Sequence, residues 1–291
     1  MMRVRLAHAR QKLAKRGCTT FVLYLWRPQF AEALDLVEHD YSCYHIDDEY
    51  SFASESSLIH PIEEELLKRV DQVIIHSRDL VERKGFLNQN TVQVPNGVDF
   101  NLFSTPCEIP SDIKEIPRPI IGYCGVLKRQ LDWTLIKTLA HRNPDKSFVM
   151  VGGISKHTEL EEQIKELKQL GNVYFLGRKS VEGLACYPQH FDVCILPYVK
   201  NDYTDAIYPL KLHEYLASGT PVIGTNIKTL LDFDSVIQIP DSNEQWQRAL
   251  GIALSKDENN PQRVLLRQRV ASQHDWSELV KQIANLFLNR N

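Results

Sequence analysis

The sequence has no long hydrophobic run, no excess of one charge and no paired-cysteine motif. A bilayer-spanning helix needs about 20 consecutive apolar residues, and no run approaches that length. The formal net charge of −3, with acidic and basic residues interspersed, gives no footprint for a nucleic-acid partner. The six cysteines show no Cys-x-x-Cys spacing: Cys18, Cys43, Cys107, Cys124, Cys186 and Cys194. We therefore expect reduced thiols in a cytoplasmic protein, with neither a zinc site nor a disulfide framework.

Two nucleotide-binding motifs are also missing. No Walker A sequence occurs, and no Gly-x-Gly-x-x-Gly follows a predicted strand. The second absence argues against a dinucleotide-dependent oxidoreductase, which is the alternative from another functional class. Asp47-Asp48 and Asp232-Phe233-Asp234 could suggest a metal-dependent enzyme, but Asp232 and Asp234 fall in a polar connection before a weak strand. We expect no metal or other cofactor.

What the sequence does contain is a regular alternation of helices and apolar strands. Four strands are predicted before a proline-rich stretch, near residues 20–25, 42–46, 72–75 and 91–94, and a helix is predicted over 29–38. Further strands follow that stretch, at 120–125, 148–151, 173–176, 193–196 and 221–225, with a last short one at 236–239. Helices separate these strands, including one predicted over 159–170. Apolar strands alternating with helices predict an α/β fold with parallel sheets covered on both faces.

The proline-rich stretch predicts a division into two Rossmann-like domains. Residues 1–104 form the N-terminal domain, 105–118 the linker and 119–270 the C-terminal domain. The final residues, 271–291, read as an amphipathic helix.

The most informative segment runs from Tyr208 to Thr225. It predicts a helix from Leu210 to Ser218, because Pro209 suits a helix start and Gly219 followed by proline suits a helix end. Lys211 and Glu214 fall on one face of that helix. The helix N-terminus and the lysine suit a phosphate, and the carboxylate suits ribose hydroxyls. The plainer interpretation is a surface ion pair on an amphipathic helix.

Residues 209–222 resemble the donor-site signature of the GT-B glycosyltransferases, in particular glycosyltransferase family 4, in which Pro-Leu-Lys-x-x-Glu-Tyr-Leu-Ala-x-Gly-x-Pro-Val occurs. The resemblance implies that Glu214 binds the ribose, and that Pro209, Leu210 and Lys211 lie at the distal phosphate and sugar. In the family another glutamate precedes it by eight positions. Here Ala206 takes that place, with Asp205 adjacent.

The same resemblance covers most of the chain from about Trp26 onward and implies further donor contacts. Gly125 follows a strand, and Lys128 or Arg129 would take the place of cations that bind the diphosphate, since Val126 stands where the family has arginine. Gly177 and Arg178 would flank the nucleobase, although a turn with a solvated arginine explains them equally well. The resemblance also implies that the terminal helix crosses back onto the first domain.

His45 and Asp47 are the candidate catalytic residues on the acceptor side. They follow a predicted strand, at the edge where parallel sheets carry their ligands. Spacing alone favours a simple loop cap over catalysis. The resemblance adds weight to catalysis, because family members show a Tyr-x-x-x-Asp-Asp run at this point, facing the cleft.

The expected function is transfer of a sugar from a UDP- or GDP-sugar to a glycan or lipid-linked acceptor, with retention, in surface polysaccharide synthesis. A non-hydrolysing epimerase would share the architecture but needs a paired acid and base that the sequence does not offer. The N-terminal domain appears short, since the opening strand, glycine turn and helix of the family are missing. An alternative is therefore that the chain is a catalytically impaired or partner-dependent subunit. A homodimer or a second chain would then cover the exposed edge of its sheet. Attachment to a membrane would be peripheral, at its inner face.

Overall fold

The structure is a computed structural model that describes residues 1–49, 59–155 and 160–288. The chain divides into two compact units. Unit 1 consists of Met1–Asn96, Ala206–Tyr208 and Leu279–Asn291, and unit 2 consists of Gly97–Asp205 and Pro209–Glu278. Each unit contains one parallel sheet, so the predicted α/β class with two parallel sheets is confirmed.

Unit 1 has a four-stranded sheet in the order β1-β2-β3-β4. Its strands are β1 (Val22–Leu25), β2 (Tyr41–Ile46), β3 (Gln72–Ile75) and β4 (Thr91–Gln93). Its helices are α1 (Met2–Ala14), α2 (Ala33–Leu36), α3 (Pro61–Arg69) and α4 (Arg78–Lys84), together with most of the C-terminal helix α14 (Trp276–Leu288). All neighbouring strands run parallel.

Both faces of this sheet are covered. On one face Tyr44, Ile46 and Ile75 pack with Leu66 and Leu67 of α3. On the other face Cys43, Ile74 and Val94 pack with Leu279, and Ile283, Leu286 and Phe287 of α14 surround them. Alternate side chains of a strand point to opposite faces, so two covered faces explain why these strands are apolar throughout.

Unit 2 has a five-stranded parallel sheet in the order β7-β6-β5-β8-β9. Its strands are β5 (Ile120–Cys124), β6 (Ser147–Val151), β7 (Val173–Gly177), β8 (Val193–Leu196) and β9 (Val222–Gly224). Its helices include α5 (Phe100–Ser104), α6 (Trp133–Arg142), α7 (Glu161–Lys168), α8 (Val181–Gln189), α9 (Asp202–Ala206), α10 (Leu210–Ser218), α11 (Lys228–Leu231), α12 (Asn243–Ala253) and α13 (Pro261–Ser272). The strand order reverses beside β5, and such a switch point is where open parallel sheets bind ligands.

Three predicted elements differ from the structure. The helix predicted over 29–38 is a single 3-10 turn, Pro28–Phe30, followed by the short α2. The strand predicted over 236–239 is reduced to one bridge between Ile223 and Gln238. The helix predicted over 159–170 begins at Glu161, and its first predicted residue lies outside the described residues. Short segments are the ones in which tertiary packing most easily overrides local sequence preference.

Residues 97–118 pack within unit 2, although the sequence assigns them to the first domain and a linker. The side-chain amide of Gln189 donates to the carbonyls of Phe103 and Thr105, at 3.0 and 2.8 Å. Ile113 and Ile116 are buried. A proline-rich segment without periodicity can pack without forming a regular element, which explains why its pattern looks like that of a linker.

The same segment carries a cysteine that the sequence analysis expected to be reduced. Cys107 is paired with Cys186 of α8 in a disulfide, with Cα atoms 5.8 Å apart. Their separation of 79 residues gave no local spacing signal. The expectation of six free thiols is therefore wrong at these two positions.

No helix in the described part of the chain is both long and apolar enough to cross a bilayer.

Candidate functional site

Helix α10 has the bounds that the sequence predicts. Pro209 is its N-cap, and Gly219 ends it in the left-handed conformation with φ of 79°. A Cβ at Gly219 would lie 2.7 Å from a methyl carbon of Val264, so both conformation and packing favour glycine. The helix buries Leu212, Tyr215 and Leu216 within unit 2.

Tyr215 fixes α10 to the end of β5. The backbone N–H of Cys124 donates to the Tyr215 hydroxyl oxygen at 2.7 Å, and that hydroxyl donates to the Cys124 carbonyl at 3.2 Å. Gly125 follows directly with φ of +143°, and its N–H donates to the Val151 carbonyl at 2.8 Å. The N–H of Gly125 is therefore hydrogen-bonded within the sheet. Because glycine has no side chain, space is left above it for a side chain from another element.

Lys211 occupies that space. A Cβ at Gly125 would lie 1.9 Å from Lys211 Cε and 2.6 Å from Lys211 Nζ, so the lysine side chain lies directly over the glycine. Its ammonium nitrogen is also 5.7 Å from the centre of the Tyr123 ring. Two motifs 86 positions apart in the sequence thus converge on one point at the carboxyl end of β5.

The charges around this point influence one another. Burial lowers the pKa of Lys211, Glu214 counteracts that shift, and Lys128 adds to it by repulsion between the two cations. Burial raises the pKa of Glu214, and Lys211 opposes the rise. The two lysines are partly buried and repel each other, which costs free energy that one partly buried carboxylate offsets only in part. A bound diphosphate would relieve the repulsion between the lysines.

A cavity of about 300 Å³ opens beside Gly125. Its walls are Gly125, Val126, Gly152, Gly153, Ile154, Arg178, Lys179 and Leu184. Gly152 has φ of +152° and donates its N–H to the carbonyl of Gly177, which itself has φ of +70°. The predicted residue Arg178 therefore lines the same cavity as Gly125, and Gly177 is hydrogen-bonded to Gly152 in the cavity wall.

The other predicted donor residues take more peripheral positions in unit 2. Arg129 and Leu210 are exposed, and Pro209 is buried at the start of α10. Ala206, which stands where the family has its first glutamate, is buried in unit 1 and accepts a hydrogen bond from Ser77 Oγ at 2.7 Å. The Asp205 carboxylate accepts from the backbone N–H of Lys228 at 3.1 Å.

The predicted acceptor-side residues His45 and Asp47 belong to unit 1. His45 lies near the carboxyl end of β2, with Nδ1 2.6 Å from the Tyr24 hydroxyl. Burial lowers the pKa of His45 to about 4, against an opposing effect of Asp47, so the imidazole is neutral at neutral pH. Asp47 is exposed. The sequence analysis did not select Tyr24 or its neighbour Trp26, because each sits in a strand pattern that core residues also produce.

Helix α10 contributes His213 to a stacked pair of histidines. The rings of His213 and His274 are 3.9 Å apart and nearly parallel, and Phe233 contacts both rings edge-on. Burial lowers the pKa of His213 well below 6.5, with repulsion from His274 adding to the shift, and burial lowers the pKa of His274 as well.

This pair predicts a loss of stability in mild acid. Below pH 6.5 the two histidines become protonated in the unfolded chain, whereas they stay neutral in the folded chain. The stability is therefore complete above that pH and falls as the pH drops toward the folded pKa values. The slope should approach about 1.4 kcal/mol per pH unit for each histidine. Urea denaturation of the wild type and of His274→Phe across this window measures it, and the variant should show the shallower slope. Identical slopes would contradict the assignment.

Comparison with known proteins places this geometry in context. Residues 118–254 match the family model described as Glycosyl transferases group 1. A relative from Bacillus subtilis (strain 168), named "Putative teichuronic acid biosynthesis glycosyltransferase TuaH", is 30% identical over 244 residues. The alignment covers 78% of this chain and 59% of that relative. The chain thus spans less than two thirds of the relative's length.

Solved structures share the architecture. The Anabaena protein HepE, in complex with UDP and glucose, superposes with a TM-score of 0.75 at 18% identity, covering 95% of this chain and 80% of HepE. Sucrose-phosphate synthase from Thermosynechococcus elongatus gives a TM-score of 0.70 at 20% identity, covering 97% of this chain and 76% of that one. At these identities the likeness concerns the fold.

Proposed function

We propose that this protein transfers a sugar from a UDP-sugar to an acceptor, because residues 118–254 match the model of the group 1 glycosyl transferases and the chain shares the fold of solved GT-B structures. The observation that carries the proposal is the position of Lys211 directly over Gly125, with Glu214 one turn further along α10. The choice of UDP is supported by HepE, which was solved with UDP and glucose. The name of the B. subtilis relative supports a role in the synthesis of a surface polysaccharide.

The donor would be held at three points. The diphosphate would meet Lys211, Lys128 and the N-terminus of α10, where the helix dipole favours an anion. The Glu214 carboxylate would accept hydrogen bonds from both ribose hydroxyls. The nucleobase would enter the cavity bounded by Gly153 and Arg178.

The chemistry follows from the charges. When the bond between the anomeric carbon and the diphosphate breaks, negative charge builds up on the departing phosphate oxygens. The two lysines and the helix N-terminus stabilise that charge in place, and preorganised stabilisation of this kind is commonly the largest catalytic contribution. With cations already present, the transfer would need no divalent metal. We propose transfer with retention of anomeric configuration, on the strength of the family resemblance.

Calorimetric titration with UDP tests the donor site. Glu214→Ala should weaken UDP binding at least tenfold, or about 1.4 kcal/mol, because a charge-assisted pair of hydrogen bonds is lost. Lys211→Met should weaken it by a similar or larger factor, whereas Glu162→Ala, which changes an exposed carboxylate on α7, should leave it unchanged. Equal affinities of wild type and Glu214→Ala would exclude the ribose role. A parallel titration with GDP checks the choice of nucleotide.

Hydrolysis or transfer of UDP-glucose by the purified chain tests catalysis separately. Turnover by the chain alone would support an independent enzyme. UDP binding without turnover of UDP-glucose would favour a partner-dependent subunit.

A further inference from the structure

Unit 1 carries a group of aromatic and polar side chains at the carboxyl end of its sheet. Tyr24 of β1 pairs in register with Cys43 of β2, so His45, two residues further on, lies on the same face as Tyr24. Trp26 follows the end of β1, and Asp47 follows the end of β2. The four residues therefore lie at the edge where parallel sheets carry ligands.

Trp26 is the largest exposed apolar side chain of this group. Its ring is 59% exposed and stands at 90° to the Tyr24 ring, with ring centres 5.9 Å apart. Tyr24 is held in turn by Phe287, at 6.0 Å and a similar edge-on angle, and by the hydroxyl contact to His45. Trp26 is thus an exposed indole whose orientation is fixed from beneath by an ordered aromatic group.

The hydrogen-bonding roles follow from the chemistry of each side chain. The Tyr24 hydroxyl lies 2.6 Å from His45 Nδ1, and in this hydrogen bond either group can donate, depending on the tautomer of the imidazole. The other ring nitrogen of His45, Nε2, can form a hydrogen bond with a hydroxyl group, which both donates and accepts. The exposed Asp47 carboxylate can accept a hydrogen bond from another hydroxyl.

We propose that Trp26, His45 and Asp47 form a binding subsite for one pyranose ring of the acceptor. The C–H face of the sugar stacks on the indole, one hydroxyl donates to the Asp47 carboxylate, and another hydroxyl forms a hydrogen bond with His45 Nε2. A flat apolar ring beside two side chains that bind hydroxyl groups matches a pyranose, which has an apolar face and polar edges. The subsite rests on the proposed transfer function, for which it identifies the acceptor as a carbohydrate.

Saturation-transfer NMR on the full chain tests the subsite with defined probes: the methyl glycosides of glucose, N-acetylglucosamine, N-acetylgalactosamine and glucuronate. The wild type should transfer saturation to the ring C–H protons of at least one probe. Trp26→Ala should reduce that transfer about tenfold, whereas Trp26→Tyr should restore part of it because a stacking face returns. Phe30→Ala, which removes another exposed aromatic ring from the same unit, should bind like the wild type.

Calorimetry with UDP on the same variants separates the two proposals. Trp26→Ala should keep wild-type UDP affinity, since its change lies in unit 1 and the donor residues lie in unit 2. Normal UDP binding without saturation transfer to any glycoside would overturn the sugar subsite alone. Equal transfer by wild type and Trp26→Ala would also overturn it, as would a change in sedimentation of Trp26→Ala that marks the indole as a protein contact. Absence of UDP binding in the wild type would instead contradict the proposed donor site.

Discussion

Replacing Gly152 by alanine should reduce UDP affinity by more than about tenfold and lower the free energy of unfolding by about 2–4 kcal/mol. An added Cβ would lie 1.9 Å from the carbonyl oxygen of Gly125, and φ of +152° is one that alanine rarely adopts. The obstacle is backbone, so a side-chain rotation cannot remove it. Relief requires movement of the Gly125 turn, and Lys211 lies against that turn.

The neighbouring glycine provides the matched control. A Cβ at Gly153 would meet no atom closer than 3.7 Å, the Cβ of Arg178, which is ordinary van der Waals contact. Gly153→Ala lies in the same cavity wall and should fold normally, with a free energy of unfolding close to that of wild type. Calorimetry and urea denaturation of the two variants compare them directly. Wild-type affinity in Gly152→Ala would show that the Gly125 turn does not form part of the donor site.

Replacing Lys84 by methionine should destabilise unit 1 by about 3–5 kcal/mol. Lys84 Nζ lies 2.6 Å from Glu49 and 2.9 Å from Glu63, and all three side chains are buried. Glu63 also accepts a hydrogen bond from the Tyr44 hydroxyl at 3.0 Å. Removal of the shared ammonium leaves two carboxylates in a low-dielectric interior without the cation that stabilises them both.

Lys68→Met is the control for this experiment. Lys68 also forms an ion pair with a glutamate, Glu64, but both side chains are about half exposed, and such pairs contribute about 0.3–0.5 kcal/mol. Urea denaturation at neutral pH should therefore separate the two lysines by several kcal/mol. Similar losses for Lys68→Met and Lys84→Met would mean that water reaches the buried cluster.

The buried cluster also bears on the acceptor side. Glu49 lies two residues after Asp47, so its contact with Lys84 connects the segment 47–49 to α4. Loss of Lys84 would thus be expected to disturb Asp47 as well as stability. The glycoside titration on Lys84→Met would detect such an effect under conditions where the variant remains folded.

The sequence by itself determined the class of fold and the residues of α10. Apolar strands alternating with helices can bury both sheet faces only as parallel sheets, and α10 begins and ends where its proline and glycine require. Only the tertiary structure decided which residues that are distant in the sequence come into contact. It brought Lys211 over Gly125, paired Cys107 with Cys186, and packed residues 97–118 into unit 2. It also set Trp26 beside Tyr24 and His45. Local preference fixes neighbours along the chain, whereas contacts between distant residues depend on strand order and packing, which no single segment encodes.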